Sequence, residues 1–207
     1  MTADSGTHAG HGEAVSPDPP RTPELVLCAV DEPLAEAWTS AAAGFAGSVR
    51  VHRGSVLDIA AQAVVSPANS YGWMRGGIDA VYARAFPGIE QSVRSAVLAS
   101  YGGELPIGES VIVPTGEPEP AWLISAPTMR EPGERLPADT VHPYLAARAV
   151  FLQWRRGQLD SGPVASAVRT IAMPGLGTGV GGVAPATCAR QVAAAWQEVF
   201  GGGGHLR

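Results

Sequence analysis

Two stretches of this chain have the composition of an anion cradle. Pro67-Ala68-Asn69-Ser70-Tyr71-Gly72-Trp73-Met74-Arg75-Gly76-Gly77-Ile78-Asp79 follows a short apolar run and leads into a helix-like segment. Pro174-Gly175-Leu176-Gly177-Thr178-Gly179-Val180-Gly181-Gly182-Val183 has the same setting. Glycine lets a backbone approach an anion closely, and the helix that follows offers unpaired N–H groups and the positive end of its dipole. One such loop reads as a tight turn. Two in equivalent settings read as an anion site able to grip a diphosphate from both sides. The first loop also holds groups that do chemistry elsewhere: an amide (Asn69), a carboxylate (Asp79), a guanidinium (Arg75) and an indole (Trp73). Each has a plainer reading: Asp79 as a helix cap, Asn69 as a turn residue, Arg75 as a solvated charge. Trp73 is costly to expose in a glycine loop, which argues for a ligand contact.

Two familiar phosphate motifs fail here. Gly177, Gly179 and Gly182 spell GxGxxG, but the dinucleotide fingerprint needs a complete βαβ unit and an acidic residue about 20 positions on, at a strand end. Only one helix follows, and Glu198 falls inside it. The P-loop needs a lysine, and all 14 basic residues of this chain are arginine. Lysine nucleophiles and Schiff bases are excluded for the same reason.

The elements that must position these loops alternate along the chain. Leu25–Val30, Val49–Arg53, Ala63–Pro67, Ser110–Pro114, Ala121–Pro127 and Arg169–Met173 read as strands, several apolar throughout, as when buried on both faces. Helices are expected from Asp31 as cap to Phe45, from Ile78 to Phe86, from Ile89 to Tyr101, from an Asp139 cap to about Leu159, and from Pro185 to Phe200. Trp38, Trp154 and Trp196 fall on these helices among apolar neighbours and read as core. Residues 130–138, polar and rich in breakers, read as a surface loop. The pattern predicts an α/β/α layered domain, with ligands collecting at the carboxyl ends of strands.

The 207 residues suit one such domain. Residues 1–22 read as a disordered polar tail, 23–200 as the domain and 201–207 as a flexible end. With 45% hydrophobic and 16% charged residues, the chain can bury a core. A net charge of −5 argues against bulk binding to nucleic acid or to an anionic membrane surface. No apolar run approaches the roughly 18 residues of a membrane span. The N-terminus has no signal-peptide pattern, and Cys28 and Cys188 lie apart in apolar surroundings, so a reducing cytoplasm is expected. The five histidines show no zinc-ligand spacing, even with His8 and His11 three residues apart, and neither metal nor cofactor is expected.

From about Arg53 to Phe200 the chain resembles the macrodomain family, whose members bind ADP-ribose and often remove it from modified targets, and the resemblance implies a three-layer α/β/α sandwich with a central mixed, mostly parallel sheet. Ser66-Pro67-Ala68-Asn69 stands where the family commonly carries an NAAN turn, and Gly76-Gly77-Ile78-Asp79 where it carries a glycine run, valine and aspartate. Asn69 and Asp79 have the ten-residue separation of the hydrolytic branch. Gly54-Ser55-Val56 takes the place of Gly-Asp-Ile, and Pro174 to Val183 that of the second phosphate loop. Three positions depart from the pattern. Ser55 replaces the aspartate that reads adenine, with Asp58 a candidate stand-in. Gly181 replaces the aromatic over the distal ribose, a place that Trp73 or Tyr71 is able to fill. Ser66 replaces the first asparagine and affects the pocket floor more than its chemistry.

The resemblance implies a metal-independent ADP-ribosylhydrolase whose partner is ADP-ribose or an ADP-ribosylated protein; the alternative is a module that reads ADP-ribose without cleaving it. It implies Asn69 orienting the ribose hydroxyls and Asp79 orienting or deprotonating the attacking water or a ribose hydroxyl. Ser55, Val56, Ala68, Trp73, Gly76, Gly77 and Ile78 would contact the ligand from one side. Gly175, Gly177, Thr178, Gly179, Val180 and Gly181 would do so from the other. A relative that has drifted to another nucleotide or phosphate ester is a third reading. The zinc-dependent and lysine-using branches do not match.

Overall fold

The computed structural model describes residues 22–45 and 47–201. Six strands form one sheet: β1 (Glu24–Ala29), β2 (Val49–Arg53), β3 (Ala63–Ser66), β4 (Val111–Pro114), β5 (Trp122–Ser125) and β8 (Thr170–Met173). Their order is β2-β1-β8-β3-β5-β4. All neighbours are parallel except β4, which runs antiparallel to β5 at the edge. A small hairpin pairs β6 (Gln158–Leu159) with β7 (Gly162–Pro163).

Side chains alternate across a strand, so each strand feeds two cores. Leu25 and Leu27 of β1, Ala63 and Val65 of β3 and Ile171 of β8 face one cluster. That cluster is closed by α1 (Glu32–Ala41), α4 (His142–Arg156), α5 (Val164–Ala167) and α6 (Pro185–Phe200). Val26, Val64, Leu123 and Ala172 face the other, covered by α2 (Gly77–Ala85) and α3 (Ile89–Tyr101). This is the expected α/β/α sandwich with a mixed, mostly parallel sheet. Trp38, Trp154 and Trp196 are buried as expected. Phe151 meets Trp196 edge-on at 5.2 Å between ring centroids, and Phe200 closes the cluster that joins α4 to α6. Such ring pairs contribute about 0.5–1.5 kcal/mol each beyond area burial.

Two expectations need correction. α4 does not start from an Asp139 cap or reach Leu159. Pro143 sits in its first turn, the Thr140 hydroxyl accepts the His142 N–H at 3.2 Å, and the helix stops before Gly157, after which the chain turns into the β6–β7 hairpin. Residues 130–138 are more than a surface loop, because Pro132 and Gly133 line a cavity. The expected tails at 1–22 and 201–207 lie outside the described residues save Thr22 and Gly201, as do His8 and His11. Among the described residues no helix is long and apolar enough to cross a membrane, and no cluster of His, Cys, Asp and Glu could hold a metal ion.

Candidate functional site

β8 and β3 are hydrogen-bonded neighbours running the same way, so the loops that leave their carboxyl ends emerge side by side. With the segments following β1 and β2 they enclose a cavity of about 660 Å³, within the range of small-molecule sites. Ala68, Asn69, Trp73, Gly76, Gly77, Ile78 and Asp79 line it from the first loop and the start of α2. Gly175, Gly177, Thr178, Gly179, Val180 and Gly181 line it from the second loop. Ser55 and Val56, past the end of β2, complete the set of sequence candidates on its wall.

The first loop is held by its own amide. Asn69 Oδ1 accepts the backbone N–H groups of Tyr71 and Trp73, each at 3.2 Å, and its Nδ2 donates to the Trp73 carbonyl at 2.7 Å. The turn role open to this residue from sequence is therefore present in the structure. Gly72 follows with a φ of +70°, where a Cβ would meet Val93 Cγ1 at 2.9 Å, so the loop lies hard against α3. The Met74 N–H donates to Glu90 on that helix at 2.8 Å. The loop is thus fixed at three successive points before any ligand arrives.

Asp79 is placed by α2 and β3 together. Tyr82, one turn further along the same helix face, donates its hydroxyl to the Val65 carbonyl at 2.9 Å and anchors α2 on the strand. The next strand residue, Ser66, donates to Asp79 Oδ1 at 2.6 Å. Asp79 is only 7% exposed, and burial pushes its carboxyl up to about 6 against the counter-pull of the Ser66 hydroxyl. The plain reading of Asp79 as a helix cap does not hold. The cap position belongs to Gly76, with no side-chain cap bond. Ser66, expected to matter for the pocket floor more than for its chemistry, touches the carboxylate directly.

The second loop closes on itself through Gly182 N–H to Gly179 O at 3.1 Å and Val183 N–H to Gly177 O at 3.0 Å. Between them, the N–H groups of Gly177 to Gly181 have no acceptor among the described residues, the property an anion cradle requires. Gly181 has no room for an aromatic: a Cβ there would lie 2.6 Å from the Gly177 carbonyl oxygen and 3.0 Å from Leu136 Cδ1. Of the two aromatics considered as substitutes, Trp73 lines the cavity. The Tyr71 hydroxyl instead donates to Glu131 at 3.2 Å.

Several wall residues were missed from sequence. Cys28, Val30, Asp31 and Leu34 contribute from the end of β1 and the start of α1. Asp31 is the α1 cap expected from sequence, its Oδ1 accepting the Leu34 N–H at 3.0 Å, and it borders the cavity as well. Asp58, the suggested stand-in for the missing aspartate, instead closes a capping box by accepting the Ser55 N–H at 3.0 Å. It is absent from the cavity lining, and Asp31 is the carboxylate found at that end. Met129, Pro132 and Gly133 form a further wall, and the Leu136 N–H donates to Gly181 O at 2.9 Å, tying that segment to the second loop. Burial raises the Cys28 thiol to about 12, so it remains protonated at neutral pH.

Comparison with known proteins agrees with this architecture. An uncharacterized protein of Aeropyrum pernix is 35% identical over 147 residues, 70% of this chain and 68% of that protein. The macrodomain of Mycobacterium tuberculosis DarG superposes with a TM-score of 0.60 at 23% identity, covering 75% of this chain and 93% of its own. Thermosipho africanus DarTG in complex with ADP-ribose gives 0.55 at 16% identity, covering 70% of this chain and 38% of its own. These structural likenesses speak to the fold. Residues 65–192, which span the first loop, β8 and the second loop, match the Macro domain model, and the chain belongs to the macrodomain family.

Proposed function

We propose that this protein binds ADP-ribose in the cavity and releases it from mono-ADP-ribosylated protein by hydrolysis. The observation that carries the reading is the juxtaposition around one cavity of a buried carboxylate, Asp79, the N-terminal turn of α2, and a second loop whose Gly177 to Gly181 N–H groups have no acceptor among the described residues. The loops grip the diphosphate, the adenosine end reaches toward Ser55 and Asp31, and the distal ribose lies beside Asp79. That carboxylate accepts a proton from, or orients, the attacking water or a ribose hydroxyl, and a group titrating near 6 is suited to such transfer at neutral pH. Binding energy from the remote adenosine holds the reacting end in place. Trp73 stands on the wall beside the ribose, with the Arg75 and Arg94 guanidiniums stacked on its ring. The shared fold with a DarTG protein solved with ADP-ribose supports the choice of ligand.

One observation favours a second reading. The Asn69 amide is already engaged with the first loop's backbone, so its proposed ribose-orienting role rests on what bonding capacity remains. A protein without that role would read ADP-ribose and not cleave it. Calorimetric titration against ADP-ribose, ADP and NAD tests the ligand, with ADP-ribose expected to bind tightest. Incubation with glutamate-linked and arginine-linked ADP-ribosylated proteins tests the chemistry: release of free ADP-ribose supports hydrolysis, and retention of the modified protein supports reading.

A further inference from the structure

We propose that Trp73, Arg75 and Arg94 form a subsite at the rim of the cavity for an acidic side chain of the modified protein, so that a carboxylate beside the modified residue favours binding. This rests on the reading of the cavity as an ADP-ribose site and concerns what lies beyond the ribose.

Arg75 lines the cavity and is exposed, which puts it at the rim. Its guanidinium carbon is 4.1 Å from the centroid of the Trp73 ring, and that of Arg94, from α3, is 3.5 Å from the same ring. The indole's quadrupole attracts each cation, but two like charges sharing one ring repel each other. Four arginines are paired with carboxylates, Arg50 with Glu24, Arg53 with Glu32, Arg130 with Glu104 and Arg148 with Glu198, and the other described arginines are not. Arg75 and Arg94 have no carboxylate partner among the described residues. What sets them apart is that two uncompensated cations share one ring at the rim of the cavity, where an anion relieves their repulsion.

The platform is rigid. Asn69 holds both backbone polar groups of Trp73, and the Cβ position of Gly72 is 3.2 Å from Arg94 Cγ. The planar fork of N–H donors of a guanidinium matches a carboxylate's two oxygens, which gives geometric specificity.

The surroundings favour one acidic side chain over a nucleic-acid backbone. Glu90 spends an oxygen on the Met74 N–H beside the cluster, and Glu131 binds the Tyr71 hydroxyl of the same loop. A run of phosphates leaving the cavity would meet these carboxylates on a chain of net charge −5. A single carboxylate reaches the arginines without them.

The test compares two mono-ADP-ribosylated peptides, identical but for Glu or Gln on either side of the modified residue, together with free ADP-ribose. Kd is measured for each at low and at high salt. The wild type is expected to bind the Glu peptide about tenfold more tightly at low salt. Arg94→Gln is expected to bring that ratio close to one, and Arg94→Lys to keep part of it. Affinity for free ADP-ribose stays unchanged in both, since Arg94 is exposed and absent from the cavity lining. A wild-type ratio near one overturns the subsite while leaving the proposed function standing, as does a ratio that survives in Arg94→Gln. Displacement of the Glu peptide by a single-stranded oligonucleotide but not by an unmodified Glu-rich peptide assigns the arginines to nucleic acid instead. Failure of free ADP-ribose to bind removes both readings together.

Discussion

The Ser66 hydroxyl donates to Asp79 Oδ1 at 2.6 Å across the junction of β3 and α2, with both side chains buried. Two effects oppose each other at this carboxylate. Burial disfavours the charged form and raises its titration to about 6, while the hydroxyl stabilises the charge and pulls it back down. If Asp79 acts as a base, kcat/KM should fall as pH drops through about 6. Ser66→Ala removes the downward pull, so the acidic limb should move to higher pH, by about one unit. Ser66→Thr keeps the hydroxyl and should restore the wild-type limb. A pH–rate profile unmoved by Ser66→Ala would separate the serine from the chemistry.

The same carboxylate weakens the fold. Its folded titration, about 6, lies above the ordinary 3.8, so between these values the native protein holds a proton that the unfolded chain has released. Stability therefore falls as pH rises through that window and remains lower above it. Asp79→Asn retains an acceptor for Ser66 and has no charge to bury. It should be more stable than the wild type at pH 8, by about 1–3 kcal/mol, with the difference gone below about pH 4. Turnover should drop by about a hundredfold or more while ADP-ribose still binds. Urea denaturation at the two pH values gives the stability comparison, and a loss of stability at pH 8 contradicts it.

Asn69 ties the first loop together through three hydrogen bonds, one donated and two accepted. Asn69→Ala strands partly buried backbone groups of Trp73 and should lower the unfolding free energy by about 1–2 kcal/mol. Because Trp73 is itself on the cavity wall, ADP-ribose affinity should fall with it. Hydrogen exchange across residues 70–75 should speed up in the variant and not at β1. Unchanged exchange there would mean that the loop is held by Gly72 and α3 alone.

The layers of the fold were legible because burial on both faces leaves continuous apolar runs such as Leu25–Ala29, and helices leave a 3.6-residue stripe. The two loops were legible because glycine marks places where a side chain has no room, as at Gly181. What composition could not give is which side chains meet. Ser66 and Asp79 are 13 positions apart and join only because Tyr82 pins α2 to the Val65 carbonyl. Asp31 has every mark of a helix cap, and nothing local says that the turn it starts also borders a cavity. Residues 130–138 look like any breaker-rich loop, because their contact with Gly181 is made by a backbone N–H, which every sequence but proline supplies. The mistaken Asp139 cap has the same origin: Asp, Thr140 and Pro143 all signal a helix start, and only the observed geometry selects among them.

Asp31 leads to the last expectation. Position 55 offers a hydroxyl, Asp58 is turned into its capping box, and Asp31 is the carboxylate on the wall at that end of the cavity. One of its oxygens caps α1 through Leu34, which leaves Oδ2 to accept from an exocyclic amine such as that of adenine. Serine is also a good cap, so Asp31→Ser separates the two roles: helix stability should change by no more than a few tenths of a kcal/mol. Selectivity should change more. The wild type should prefer ADP-ribose over inosine diphosphate ribose, whose base presents a carbonyl in place of the amine, and Asp31→Ser should reduce that preference by about tenfold. Paired calorimetric titrations of both nucleotides measure it. An undiminished preference in the variant would move adenine selection away from this carboxylate and onto the backbone around Ser55 and Val56.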